Sequence, residues 1–392
     1  MKKIIVGLFG IALESVNFGV TALAFTQIQM LRRIKQELGC ELEYWLFSDD
    51  SDCAADHIKS GDGRDDIKIK YIVRIRTGFA GLKKLNKDIK RCDLIIDLTY
   101  GDSFSDIYGI KNFYLYSLPK FISIKNKRRL IMGPQTIGPF YKKSVQIAAR
   151  YILKKADQVV TRDSLSLEYA KRMTGRNDIL LTSDLAMNLS YETSSCEYRI
   201  KGKLNIGLNV SLLMWKNDSE NPKLNVKLPY KELVMRLLEK LKERDIAVHL
   251  IVHVYNKKGF TEYTLAEELH QQYAYTVLAP KFQNPIQAKN YMSGLDCFIG
   301  SRMHATIGAF SAGVPVIPVS YSRKFEGLYG TLGYDHCIDC SRETVSSAIK
   351  KIMDKLMNLE LLRKEQKEAL LKAKSMNEAY YEFLRASIEA LL

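Results

Sequence analysis

Gly300–Gly327 reads GSRMHATIGAFSAGVPVIPVSYSRKFEG and follows the apolar run CFIG at Cys297–Gly300. The run predicts a buried strand, Met303–Ala312 a helix, and Val314–Val319 a second strand. Ala305, Gly308, Ala309, Ala312 and Gly313 are small enough to let the helix lie against a sheet. Gly313-Val314-Pro315 supplies the turn into the second strand. Strand, helix and strand in that order form a βαβ unit with parallel strands.

The same alternation extends in both directions. On the N-terminal side of this unit the pattern predicts strands at Leu204–Val210, Ala247–Val254 and Tyr275–Leu278. It predicts helices at Tyr230–Arg244, Leu265–Tyr273 and Pro285–Ser293. A first series precedes it, with strands at Lys3–Phe9, Glu43–Phe47, Lys68–Ile75, Leu94–Leu98, Arg129–Met132 and Gln158–Thr161. Its helices are Val20–Leu38 and Lys143–Lys155. Ser190–Lys203, SYETSSCEYRIKGK, is polar and aperiodic, and Thr344 to Leu392 is rich in Lys, Glu, Leu and Ala. The expected architecture is α/β: two doubly wound, Rossmann-like domains facing a cleft, with a long C-terminal helix. The expected boundaries are 1–190, a linker at 191–203, 204–345, and a helical segment at 346–392. Ligands of such sheets sit beyond the C-terminal ends of the strands.

Composition narrows the class. In 392 residues, 46% hydrophobic and 26% charged, there is no signature of a disordered chain, a collagen or a disulfide scaffold. The net charge of +15 favours anionic partners: phosphorylated metabolites, nucleic acid or an anionic membrane face. Eleven Lys and Arg against one acid, Asp157, fall between Lys120 and Arg162. The seven cysteines, 40, 53, 92, 196, 297, 337 and 340, are scattered. The lone C-x-x-C at Cys337 and Cys340 lacks the second pair a zinc site needs, so free thiols in a reducing compartment and no metal are expected. Met1-Lys2-Lys3 with the apolar run after it has the look of a signal peptide. Glu14 and Asn17 interrupt that run, and a buried first strand explains Ile4–Phe9 equally well. No run is long enough to span a membrane.

The chemistry concentrates where CFIG meets its helix. The helix start and its dipole favour an anion. Ser301 lies in that turn, and Arg302 offers a bidentate fork for carboxylate or phosphate. His304 titrates near neutrality, and Lys324 follows the next strand toward the same end of the sheet. Asn209 and Ser211 follow the strand IGLNV, and His253 closes HLIVHV at the same rim, while His249 reads as core.

Arg302, His304, Gly313, Pro315, Tyr321 and Lys324, in that order, resemble the pattern of the polysaccharide pyruvyl transferases. MGPQTIGP at Met132–Pro139, TRDSLS at Thr161–Ser166 and SDLA at Ser183–Ala186 resemble further motifs of that family in the family's order. One turn departs from it: a glycine-rich run is replaced by Thr99-Tyr100-Gly101-Asp102-Ser103. The resemblance implies a GT-B-like fold and transfer of pyruvate from phosphoenolpyruvate onto a sugar hydroxyl pair as a ketal, in surface or capsular polysaccharide synthesis. It implies Arg302 and His304 as catalytic groups and Arg162, Arg302, Lys324, Asn209 and Ser301 on the donor. Gly101, Asp102, Gln135 and Asp184 are then acceptor-side candidates. Phosphoenolpyruvate serves as co-substrate, and no cofactor or metal is required. The acceptor is a sugar or glycan, with a diphosphate-linked lipid as one carrier consistent with the charge. The expected location is cytoplasmic, peripheral at the inner face of the membrane.

Two other readings compete. A GT-B glycosyltransferase would share this architecture but use a nucleotide sugar. A nucleic-acid or anionic-surface binding module would explain the charge, but the basic stretch carries no recognisable nucleic-acid motif.

Overall fold

Residues 3–48, 67–71, 78–193, 197–216, 224, 226–255 and 259–392 are described by the structure, a computed structural model. Cys53, Cys196 and the end of the strand expected to reach Ile75 lie outside the described residues. The first half contains β1 (Lys3–Phe9), α1 (Phe18–Leu38), β2 (Glu41–Ser48), β3 (Ile67–Tyr71), α2 (Gly78–Ile89) and β4 (Leu94–Asp97). It continues with α3 (Ile110–Lys125), β5 (Arg129–Gln135), α4 (Lys143–Lys155), β6 (Gln158–Thr161), α5 (Ser164–Thr174) and β7 (Leu180–Leu181). The second half contains β8 (Asn205–Asn209), α6 (Leu212–Trp215), α7 (Tyr230–Glu243), β9 (Ala247–Leu250), α8 (Glu262–Gln272), β10 (Val277–Leu278) and α9 (Pro285–Met292). It ends with β11 (Cys297–Gly300), α10 (Met303–Ser311), β12 (Val316–Ser320), α11 (Arg323–Leu332), β13 (Ile338–Asp339), α12 (Val345–Met357) and α13 (Leu359–Glu389).

Each half folds around a parallel sheet. The first has strand order β3-β2-β1-β4-β5-β6-β7, the second β10-β9-β8-β11-β12-β13. The apolar runs that marked the strands are the buried interiors of these sheets. β1 pairs in parallel with β2 (Val6 opposite Tyr44) and β4 (Gly7 opposite Ile95). Ile4, Val6 and Leu8 are accordingly sealed from water, as expected of a central parallel strand covered on both faces. Each such side chain contributes about 1.5–3 kcal/mol. In the second sheet β8 and β11 pair directly, Asn209 opposite Gly300.

The strand order reverses between β1 and β4 in one sheet and between β8 and β11 in the other. At such switch points the loops leave in opposite directions and open a crevice above the strand ends.

The two compact units do not follow the chain in two blocks. Met1–Glu14, Leu23–Leu185 and Ser375–Leu392 form the first, and Ser15–Ala22 with Ala186–Lys374 the second. The C-terminal helical stretch is divided between them. Tyr380, Tyr381, Leu384 and Ile388 of α13 are buried, and the Tyr380 hydroxyl donates to Gln27 of α1 within the first unit (2.9 Å).

Helices α2, α3 and α11, and the single turn of α6, were not foreseen. α2 left no reading in the sequence. α3 carries Pro119 in its interior, which removes one backbone donor and normally argues against a helix. α11 carries Gly327 and Gly330 at interior positions, each unfavourable in isolation. Burial of Phe325, Leu328 and Tyr329 overrides that preference.

Candidate functional site

In the second unit the crevice between β8 and β11 is built by one asparagine. The Arg302 backbone N–H donates to Asn209 Oδ1 (3.0 Å), and Asn209 Nδ2 donates to the Ile251 carbonyl (2.9 Å). The Ser301 N–H donates to the Asn209 carbonyl (3.2 Å). The Ser301 hydroxyl shares a hydrogen bond with the Tyr230 hydroxyl (2.7 Å), which accepts from the Ser211 N–H (3.1 Å). Asn209 and Ser301, expected on the donor, are both buried and hold three strand ends in place. What they fix is the start of α10. Arg302 is its extended N-cap, and no side chain caps the helix, so the first turn presents backbone N–H groups suited to an anion.

Arg302 is held in turn by Glu262, the first residue of α8. Its Nε donates to Glu262 Oε1 at 2.7 Å, and one terminal nitrogen donates to the same oxygen, which also accepts from the Leu212 N–H (3.0 Å). The carboxylate is fully buried while the guanidinium keeps 22% of its surface open to solvent. Desolvation pushes the Glu262 carboxyl up, against the pull of Arg302. For Arg302 desolvation acts downward, but Glu262 and then Tyr321 outweigh it and raise the guanidinium. The result is a permanently charged fork, fixed at one edge and reachable at the other.

His304 occupies the second position of α10 and is partly buried. Its ring lies on the backbone of Gly19 at the start of α1. A Cβ at Gly19 would fall 2.1 Å from His304 Nδ1 and 2.7 Å from His304 Cβ. Gly19 is held there because its N–H donates to Asn17 Oδ1 (3.1 Å) and the neighbouring Phe18 N–H donates to the His253 carbonyl (3.3 Å). Lys324 is half-buried in the first turn of α11, after β12.

His253 is not at a rim. β9 ends at Leu250, four residues earlier than its apolar run suggested, and His253 is buried against Phe18. Burial, then His304 and Arg302, push its imidazole down to about 3. His249 is core, bonded to the Tyr291 hydroxyl (2.8 Å) and Asn205 Oδ1 (3.0 Å), and burial lowers it to about 4. Both histidines bind a proton more readily unfolded, where the ordinary value is about 6.5, than folded. Their stabilisation is therefore present above pH 6.5 and is lost as the pH falls toward 4. Between pH 7 and pH 5 the two together cost a few kcal/mol of stability, as an order of magnitude. Urea midpoints across that range should fall steeply, and His249→Gln with His253→Asn should flatten the dependence. An equally steep slope in the double variant would refute the assignment.

In the first unit the turn after β4 keeps a glycine-like backbone although two of its three residues are not glycine. Thr99 and Tyr100 have φ of 40° and 54°, and Gly101 has 82°. Such conformations cost of order 1–3 kcal/mol each in non-glycine residues. Gly10 meets this turn so closely that a Cβ would lie 2.2 Å from the Thr99 nitrogen.

Beneath the turn, Lys120 of α3 and Asp97 of β4 form a buried ion pair at 2.8 Å. The Thr99 hydroxyl donates to the same carboxylate. Burial pushes Lys120 down while Asp97 holds it up. Gln135 is buried and donates from Nε2 to the Asp97 carbonyl (2.8 Å).

Arg162 and Asp184, expected on donor and acceptor respectively, are each other's partners at 2.5 Å, 1% and 0% exposed. Arg162 Nε also donates to Thr136 Oγ1 (3.0 Å). Gly101 passes so close that a Cβ would lie 3.0 Å from an Arg162 terminal nitrogen. Asp102 is partly exposed and accepts from the Tyr108 hydroxyl (3.0 Å). Asp163 caps α5, accepting from the Ser166 N–H (2.7 Å).

Sequence reasoning missed Glu262, Gly19 and the Lys120–Asp97 pair. A lone acid in the first turn of a helix reads as a dipole partner, and nothing local marks Glu262 as the anchor of a residue 40 positions away.

A family model described as polysaccharide pyruvyl transferase matches residues 46–323. The amylovoran biosynthesis protein AmsJ of Erwinia amylovora is 22% identical over 314 residues, covering 74% of this chain and 71% of that protein. The UDP-GlcNAc 2-epimerase of Neisseria meningitidis, solved with UDP-GlcNAc, superposes with a TM-score of 0.59 at 10% identity, over 97% of this chain and 99% of its own. MurG of Acinetobacter baumannii superposes with a TM-score of 0.56 at 13% identity, over 98% and 99%. At such identities the structural likeness speaks for the GT-B type of fold alone.

Proposed function

This chain belongs to the polysaccharide pyruvyl transferase family, and from that premise we propose that it moves pyruvate from phosphoenolpyruvate onto two hydroxyls of a sugar as a ketal. The observation that carries the reading is the Arg302–Glu262 pair at the uncapped start of α10, with His304 two residues on. A donor with a carboxylate and a phosphate suits a fixed guanidinium beside the positive end of a helix.

The balance of the reaction assigns the roles. The methylene carbon of the donor gains a proton and C2 becomes electrophilic. One hydroxyl adds to C2 and a second displaces phosphate. Two hydroxyl protons are released, one replacing that delivered to the methylene and one leaving with the phosphate. His304 is the general acid and base for these transfers, a role worth about 10²–10⁴-fold. Arg302 and the α10 N–H groups stabilise charge on carboxylate and phosphate, with Lys324 as a further cation on the donor. Asn209 and Ser301 act through Arg302 by holding its loop.

The turn from Thr99 to Asp102, with Gln135, is the proposed acceptor side. The family match and the resemblance to an amylovoran biosynthesis protein support a role in surface or capsular polysaccharide synthesis. A diphosphate-lipid carrier and a place at the inner membrane face belong to the same reading, supported by the net charge of +15.

Phosphoenolpyruvate at about a hundred times its dissociation constant should stabilise the folded state by about 2.7 kcal/mol. In thermal melts that is a shift of several degrees, absent in Arg302→Ala. A shift with UDP-sugars and none with phosphoenolpyruvate would replace this reading with a nucleotide-sugar glycosyltransferase.

A further inference from the structure

The basic stretch between Lys120 and Arg162 is not uniform. Lys120 and Arg162 are buried in their ion pairs, so they add nothing to the surface. The remaining cations flank a feature the charge alone did not reveal. Tyr141, Ile147 and Tyr151 are 68%, 65% and 46% exposed. The last two lie one turn apart on α4, between exposed Lys143 and Lys154 and beside exposed Arg150. The opposite face of α4 is core, with Val145, Ala149, Ile152 and Leu153 buried.

A second exposed apolar segment adjoins it. Ile107 and Ile110 are more than two-fifths exposed. Their loop is pinned beside Tyr141 because the Asp106 carboxylate accepts from the Tyr141 and Lys142 N–H groups (2.8–3.0 Å). Further along, Phe121 of α3 stacks on Tyr151 of α4, with ring centroids 6.1 Å apart.

Large apolar side chains in water, interleaved with lysine and arginine on a rigid helix face, have the composition of an interfacial membrane surface. The aromatic and aliphatic groups enter the headgroup boundary while the cations meet anionic lipid. We infer that the exposed face of α4, together with the 107–110 loop, docks this protein on an anionic bilayer. Charge complementarity decides the occupant. A second copy of a +15 chain would set like charges against each other across a face that carries this cluster of cations. A nucleic acid would use the cations but leave Ile147 and Ile107 unexplained.

This deepens the partner named in the reading above. It is tested without the transfer reaction, so the two fail separately. The full chain is floated with vesicles of phosphatidylglycerol and phosphatidylcholine, or of phosphatidylcholine alone, at low and high salt. Binding should require the anionic lipid and persist in part at high salt, because apolar insertion is not screened. Ile147→Glu with Tyr151→Glu should lower the bound fraction at least about tenfold, whereas Lys240→Glu on α7, the same change in charge, should lower it less than about twofold. Ile147→Trp should shift its emission to the blue on the vesicles and be quenched by brominated lipid.

Three results would overturn the inference. One is equal flotation of the double glutamate variant and the parent. The second is an unshifted tryptophan on bound protein. The third is a parent that does not float but sediments as a dimer, which the double variant disrupts.

Discussion

Gly19→Ala should lower kcat/KM by about 10²-fold, since a misplacement near 1 Å in a reacting group is enough for that, while the thermal midpoint moves little. The added Cβ would lie 2.1 Å from His304 Nδ1 and 2.7 Å from His304 Cβ. Turning the ring cannot relieve this, because the Cβ of the histidine is itself too close. The start of α10 or of α1 must shift, and the imidazole with it. Alanine also improves a helical position by up to about 1 kcal/mol over glycine, which offsets part of the strain. The check is a double-mutant cycle. In a His304→Gly background, which removes the Cβ as well as the ring, Gly19→Ala should cost no further activity and should leave the protein at least as stable as that background. Equal losses in both backgrounds would mean that Gly19 acts by some route other than this contact.

Asp184→Ala carries the largest expected loss of stability, about 3–5 kcal/mol, the usual consequence of leaving one half of a buried pair uncompensated. Neither partner sees solvent, so water cannot take over the role of the carboxylate. The Asp184 main chain is anchored separately, its carbonyl accepting from Asn377 Nδ2 (3.1 Å). The loss should therefore track the charge and not the local backbone. Arg162→Met with Asp184→Leu removes both charges and should recover most of it, since an apolar replacement of a whole buried pair is often neutral. Urea midpoints of the single and double variants decide the point. A single variant as stable as the parent would show that the guanidinium finds another partner.

The fold was legible because parallel sheets bury both faces of their strands. Stretches such as LIID at β4 and CFIG at β11 then stand out as unbroken apolar runs. Helix α3 was hidden by Pro119, and α11 by its two glycines, where tertiary burial outweighs local preference.

The site was half legible. Arg302 and His304 follow from a strand meeting a helix of small residues, a local pattern. Their supports are long-range, and no spacing announces them: Glu262 forty residues away, and Gly19 at the far end of the chain. His253 was misplaced because HLIVHV stays apolar beyond Leu250, where the strand stops pairing.

The division of the chain between the two units bears on its synthesis. Residues 375–392 belong to the first unit, and Tyr380 and Asn377 bond to Gln27, Ser183 and Asp184 within it. During synthesis the 1–185 portion thus lacks part of its own interior until residues 375–392 have been made. In the meantime it must wait, with apolar surface uncovered, for a helix made after the second unit. Expressing residues 1–185 by themselves should give an aggregation-prone fragment, and supplying the 375–392 peptide in trans should rescue its folding.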